Sequence, residues 1–325
     1  MSHWKQYWRR YMSGGLLLVL CVVFWVTTQK ADAPAPMSPA GDVKSATRAA
    51  PKTGQSQPAT NVTFPAGKRT LLPEYRLVAL YGAPGAPLLG VLGEAPLNAT
   101  LDRAKALAGI YQNFTTQKTL PTLEIITTVA SAAPGEDGDY SRETSPDQLK
   151  PWITAARQAG VYVVLDLQPG RSDFLSQAKQ YESLLSEPNV GLALDPEWRL
   201  APDQVHLRQI GSVSIQEVNE VADWLSMLTQ NRNLPQKVLL LHQFRLSMIR
   251  DRANLNTSHK NLAYIIQMDG NGAQSTKLDT WRTIQTDLPQ GVNMGWKNFY
   301  DEDHPLLDPQ GTMALSPVPW YISYQ

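Results

Sequence analysis

The sequence holds one cysteine, Cys21, among its 325 residues. It lies inside an apolar run near the N-terminus, so no intrachain disulfide, thiolate-ligated metal centre or cysteine nucleophile can form downstream. No charge is in excess either: 29 Lys+Arg face 29 Asp+Glu and the pI is near 7.0. That balance argues against a nucleic-acid partner, which calls for a basic surplus. Motifs for phosphate and metal chemistry are also missing. The loop Gly82-Ala83-Pro84-Gly85, with Gly90 and Gly93 beyond it, fits neither GxGxxG nor a Walker lysine pattern. No His-x-His, HExxH or Gly-x-Ser-x-Gly occurs, which leaves zinc and serine hydrolases without support. No cofactor and no metal is therefore expected. What is present is core material: 42% hydrophobic residues, 18% charged, 9 Trp and 12 Tyr, which excludes wholesale disorder.

Three regions follow one another. Residues 1–30 carry Lys5, Arg9 and Arg10, no acid, and the apolar run from Gly14 to Val26. This is the pattern of a signal peptide or an uncleaved signal anchor. Trp4, Tyr7, Trp8 and Tyr11 suit a headgroup layer, and Ala31-Asp32-Ala33 offers a cleavage site. A membrane-held or secreted chain with its folded part outside the cytoplasm is expected. Residues 31–67 contain six prolines and one aromatic, Phe64, too little apolar surface to offset chain entropy, and read as a disordered linker. Residues 68–325 are close to the roughly 250 residues of one α/β barrel.

Eight short apolar runs in that part read as strands buried on both faces: 75–81, 123–129, 161–167, 190–194, 237–241, 262–267, 292–296 and 320–324. Helix signals lie between them. Ser145-Pro146 is a cap followed by proline, Ser172 opens another helix, Ser214 with Glu217 is a capping box, and Leu278, Trp281, Ile284 and Leu288 share a face. Strand then helix, repeated to an eighth strand, predicts an α/β fold of the (β/α)8 TIM-barrel type. The sequence stops on the eighth strand, so the final helix is expected to be lacking, with Lys68–Glu74 or the loop before strand eight in its place.

Active sites of this fold gather where the strands end. Asp166 and Gln168 end strand three, Asp195, Glu197 and Trp198 follow strand four, and His242 and Gln243 end strand five. Gln267 and Asp269 end strand six, Lys297, Asn298 and Tyr300 end strand seven, and Gln325 closes strand eight. Residues two apart on a strand share a face, so Asp195 and Glu197 are expected to project together. Glu197, Asp195, Asp269 and Asp166 are the candidate catalytic carboxyls. Trp198, Gln168, His242, Gln243, Lys297, Asn298, Tyr300 and Gln325 are the candidate substrate-binding groups, and Trp198, Phe244, Trp296 and Tyr300 are of a kind that stacks on sugar rings. An acid after a strand is also commonly a helix cap or a partner of a nearby cation, here Arg199, Arg245 or Lys297. Asp301-Glu302-Asp303-His304 reads as a solvated acidic loop.

The run Val190-Gly191-Leu192-Ala193-Leu194-Asp195-Pro196-Glu197-Trp198 resembles the strand-four signature Asp-x-x-Asp-x-Asp-x-Glu of chitinase-like family-18 glycoside hydrolases. The resemblance implies a proton-donating role for Glu197 and a substrate-orienting one for Asp195, whereas Val190 and Ala193 stand where that signature has acids. The whole barrel is similar to a group of bacterial surface-anchored TIM-barrel proteins of unassigned activity, through runs such as Leu165–Gly170, Leu192–Leu200 and Lys237–Met248. Two functions follow as expectations. One is a glycoside-hydrolase-like protein acting on a cell-envelope glycan; the other is a non-catalytic barrel that binds such a carbohydrate.

Overall fold

The computed structural model describes Phe64 and residues 68–325. The expected signal segment, 1–30, and the linker apart from Phe64 lie outside the described residues. Among the described residues no helix is long and apolar enough to cross a membrane.

The eight apolar runs form eight strands: β1 (Tyr75–Gly82), β2 (Lys118–Ala130), β3 (Tyr162–Leu167), β4 (Val190–Leu194), β5 (Lys237–His242), β6 (Leu262–Met268), β7 (Asn293–Asn298) and β8 (Tyr321–Tyr324). Each pairs in parallel with the next, and β8 pairs with β1, so the sheet closes into a barrel. Helices α1 (Leu97–Tyr111), α2 (Pro146–Gln158), α3 (Phe174–Gln180), α4 (Glu182–Leu185), α5 (Ile215–Asn231), α6 (Gln274–Ile284) and α7 (Pro309–Met313) lie in the connections. This is the architecture of a TIM barrel.

Strand periodicity sorts the core into two layers. Leu123, Val163, Leu165, Leu192, Leu239 and Ile266 face outward and pack with helix residues such as Leu101, Ile153, Phe174, Val221 and Trp281. Leu77, Ala79, Leu120, Tyr162, Val164, Ala193, Val238, Leu240, Ile265 and Tyr321 fill the interior. Gly191 leaves room for the Tyr162 ring there, since a Cβ on it would sit 2.9 Å from the Tyr162 hydroxyl and from the Val238 carbonyl.

The floor of this interior is sealed by chain that precedes β1. Phe64 and Leu71 are buried in the inner layer, and Phe64 meets Tyr75 and Tyr162 edge-on at 6.1 and 5.9 Å. Leu71 and Leu72 donate their amides to Gln236 Oε1, while the Gln236 amide donates to the Arg69 carbonyl. The Lys68–Glu74 segment thus does not take the place of an outer helix. That place belongs to the connection before β8, where Met313 of α7 packs with Ala108, Tyr111, Ile322 and Tyr324, and the Tyr111 and Tyr324 hydroxyls are 2.6 Å apart. Phe64 is a core residue although the linker composition surrounds it. Phe64→Ala is expected to cost about 3–5 kcal/mol. Chemical denaturation checks this, and an unchanged midpoint would contradict the packed floor.

Local signals are partly realised. Ser145 forms the full capping box of α2 with Gln148. The Ser214 hydroxyl accepts the Glu217 amide, but the Glu217 carboxylate turns away to accept the Phe174 amide and to pair with Arg199 at 3.0 Å. The cap of α3 is Asp173 instead of Ser172, whose hydroxyl donates to Asp139. No α-helix joins β5 to β6. Asp251 takes a left-handed conformation (φ 58°) there, and buried Arg252 fills the gap by donating to Gln243 Oε1 and to the carbonyls of Ile284 and Thr286.

Candidate active site

Inside the barrel, each column of inward residues changes from apolar to polar as the strand nears its C-terminal end. Tyr81 follows Ala79 on β1, Glu124 follows Thr122 on β2, Asp166 follows Val164 on β3, and Asp195 follows Ala193 after β4. His242 follows Leu240 on β5, Gln267 follows Ile265 on β6, and Ser323 follows Tyr321 on β8. A layer of hydrogen-bonding groups therefore rests on the sealed apolar floor.

His242 is at the centre of that layer and is fully buried. Its Nδ1 is 2.9 Å from Asp269 Oδ2 and its Nε2 is 2.8 Å from Glu124 Oε1, with Asp166 Oδ1 at 3.7 Å. A ring with a carboxylate at each nitrogen carries a proton on both. Burial opposes the charge, but Asp166 and Glu124 outweigh it and hold the imidazolium well above its ordinary range. The carboxylates are tied in turn: Tyr321 donates to Glu124 Oε2 at 3.0 Å, Tyr81 donates to Asp166 Oδ2 at 3.0 Å, and Gln168 Nε2 donates to the Tyr81 oxygen at 3.3 Å. Gln267 donates to Ser323 Oγ. The Asp195, His242 and Asp269 ligand atoms lie within 4.8 Å of one another. Both nitrogens of the imidazole are already engaged, so His242 offers no free lone pair to a metal.

Asp195 and Glu197 come together by a turn and not by strand alternation. Strand β4 ends at Leu194, and Pro196–Trp198 form a 3-10 turn that Asp195 caps, its Oδ1 accepting the Glu197 amide at 3.2 Å. Gly211 braces this turn by donating its amide to the Glu197 carbonyl at 2.7 Å; a Cβ there would sit 2.4 Å from the Arg199 carbonyl and 2.5 Å from that of Glu197. Arg199 is committed to Glu217 and to backbone carbonyls. Burial, then the negative charge of Asp269, pushes the Glu197 carboxyl up to about 8, with Lys297, His242 and Arg245 acting the other way. Burial also raises Asp195, with Asp166, Asp269 and Glu197 adding to it. Asp166 rises to about 6, again mainly by burial. The site is thus a group of carboxyls that hold protons at a pH where free ones do not.

Of the other candidate residues, Lys297 and Gln168 reach this group, whereas Asn298, Gln243 and Tyr300 bond or pack outside it. Lys297 is buried, its Nζ 3.3 Å above the Tyr81 ring centroid. Asn298 is buried and accepts from Trp296 Nε1. Gln243 is buried with its amide spent on Arg252, Arg245 and Leu246. Trp198 is partly exposed and edge-on to His206 at 5.3 Å. Tyr300 is 41% exposed and tilted against Tyr324 at 5.2 Å. Gln325 donates its amide to the Asn298 carbonyl and accepts from the Tyr300 amide, which continues the β8 pairing. Trp296 fills the outer core against Trp281 and does not face the barrel interior. Asp303 is not a solvated acid: it is buried and accepts from Lys277 Nζ and from the amides of Phe299 and Gly272. Glu124, Tyr81 and Tyr321 complete the layer although no expectation named them; the acid within Leu123-Glu124-Ile125, a buried strand run, is the signal that marks Glu124.

No family model matches the chain, and no curated protein matches it. Solved structures do. A xylanase and α-amylase inhibitor protein in complex with trehalose is similar to 77% of this chain over 92% of its own, at 13% identity and a TM-score of 0.43. An endo-beta-N-acetylglucosaminidase from Cordyceps militaris in apo form is similar over 77% of this chain and 80% of its own, at 12% identity and a TM-score of 0.33.

Proposed function

We propose that this chain is a glycoside-hydrolase-like protein that acts outside the cytoplasm on a cell-envelope glycan, held at the membrane by its N-terminal segment or released by cleavage there. The observation that carries the reading is the placement of Glu197, on a turn that Asp195 caps where the strands end. A partly buried carboxyl, raised to about 8 at the open end of a TIM barrel, keeps its proton at neutral pH and can give it to a leaving oxygen. Asp195 fixes the turn that aims Glu197 by accepting its amide. Asp269 and Asp166 are the further carboxyls of the site, and hydrolysis of a glycosidic bond ordinarily uses two. Trp198 supplies a partly exposed aromatic face.

Release of reducing ends from a panel of envelope polysaccharides by the full chain tests this reading. Turnover by the wild type that Glu197→Gln abolishes is the expected result; turnover that survives the substitution would assign the chemistry elsewhere.

One observation favours a second reading, a barrel that binds glycan without turning it over. Ala193, where the family-18 signature has an acid, faces the interior directly below Asp195 and belongs to the apolar floor. Glycan binding by the wild type with no turnover on any member of the panel would select that reading.

A further inference from the structure

Five carboxyl groups, those of Glu124, Asp166, Asp195, Glu197 and Asp269, gather around His242 in the barrel mouth. They share three buried cations, His242, Lys297 and, through Asp269, Lys277, which is itself bonded to Asp303, with Arg245 close enough to act on Glu197. His242 is spent on Glu124 and Asp269, Lys297 lies on the Tyr81 ring, and the Arg245 guanidinium is 5.9 Å from the Phe244 ring centroid. The carboxyls therefore outnumber the cations that serve them, and Glu197 and Asp195 meet the shortfall by keeping their protons.

A second, independent observation points the same way. Asp166 is 0% and Asp269 8% exposed, yet Oδ1 of each has no hydrogen-bond donor among the described residues. A buried carboxylate oxygen without a donor is costly, and such atoms in native sites mark a missing partner. The partner must donate, and a positive one would also let the carboxyls that now hold protons ionise.

We propose that the mouth receives a protonated amine, and, resting on the glycan reading above, that the substrate is a polymer of amino sugars bearing free ammonium groups. An ammonium brings three N–H donors and one positive charge to Glu197, Asp195 and Asp269. An N-acetylated sugar brings one N–H and sets a carbonyl oxygen against the acids. A uronic acid brings a carboxylate that offers no donor to the Asp166 and Asp269 oxygens and is repelled by the carboxyls that are ionised. The ammonium also favours the ionised form of the carboxyls around it, so its binding should expel protons from groups that burial keeps protonated.

Isothermal titration of the full chain with a glucosamine oligomer, its N-acetylated counterpart and a galacturonate oligomer of equal length tests this. The glucosamine oligomer is expected to bind about tenfold or more tightly than the N-acetylated one, the scale of a hydrogen bond to a charged group. The galacturonate oligomer should give no heat, and the glucosamine titration should release protons to the buffer. Asp269→Asn should erase the preference, and Asp195→Asn serves if the first variant does not fold. Equal or tighter binding of the N-acetylated oligomer would overturn the ammonium proposal and leave the glycan reading standing. Binding of none of the three would remove the glycan reading, and the proposal with it.

Discussion

Glu197→Gln is expected to lower the rate of glycan hydrolysis by about 10²–10⁴-fold, the usual contribution of a positioned general acid. The amide keeps the shape of the side chain but has no acidic proton to give. Binding of the glycan should persist within a few-fold, because Trp198 and the other acids remain. The pH profile carries the same information: with the carboxyl raised to about 8, the wild-type rate should fall as pH rises through that value. Stability follows the sign of the shift. The folded state holds the Glu197 proton between the ordinary value of 4.5 and about 8, so the unfolded state binds fewer protons there and the wild type loses stability as pH rises across that window. Glu197→Gln has no such proton, and its melting temperature should gain on the wild type over the same range. Parallel melting curves of the two proteins against pH would contradict a raised Glu197.

The second large effect concerns His242. His242→Leu removes the cation from among Glu124, Asp166 and Asp269 while preserving apolar bulk, and leaves buried acids facing one another. Breaking a buried ion pair in this way costs about 3–5 kcal/mol. For a domain of this size the melting temperature is expected to fall by about 10 °C. Adding Glu124→Gln should restore part of the loss, since one uncompensated acid is then gone. A His242→Leu protein that melts with the wild type would show that the ring does not carry its charge. Nitrogen NMR gives the direct readout, with both ring nitrogens protonated at a pH where a free histidine is neutral.

The barrel was legible because strands buried on two faces leave unbroken apolar runs, and all eight runs became strands with ends shifted by a few residues. The helices were less so. The β5–β6 connection lacks an α-helix, and Arg252 anchors it instead to Gln243 and to the carbonyls of Ile284 and Thr286 beyond β6, through bonds that no local pattern announces. Phe64 sits in a segment of linker composition, and only the tertiary hole beneath Tyr75 and Tyr162 makes it a core residue. In the site, the strand-end rule led to Asp166, Asp195, His242 and Asp269, which converge on one centre. Glu124 escaped it because it lies in mid-run on β2, a strand that reaches back to Lys118. The joint placement of Asp195 and Glu197 was inferred from alternation, yet it arises from a 3-10 turn begun by Pro196 and braced by Gly211, a contact 14 residues further along the chain. Sequence spacing marks which residues share a mouth; which nitrogen meets which oxygen depends on the closure of the barrel.

A direct titration of the Glu197 side chain settles the chemistry most sharply. Difference infrared spectroscopy of wild type minus Glu197→Gln, recorded across pH, isolates the one carboxyl that the two proteins do not share. A protonated carboxyl band that persists through neutrality and is lost near pH 8 is the expected result. A carboxylate already ionised at about pH 5, as in an ordinary exposed glutamate, would contradict it and leave the barrel mouth without its proton donor.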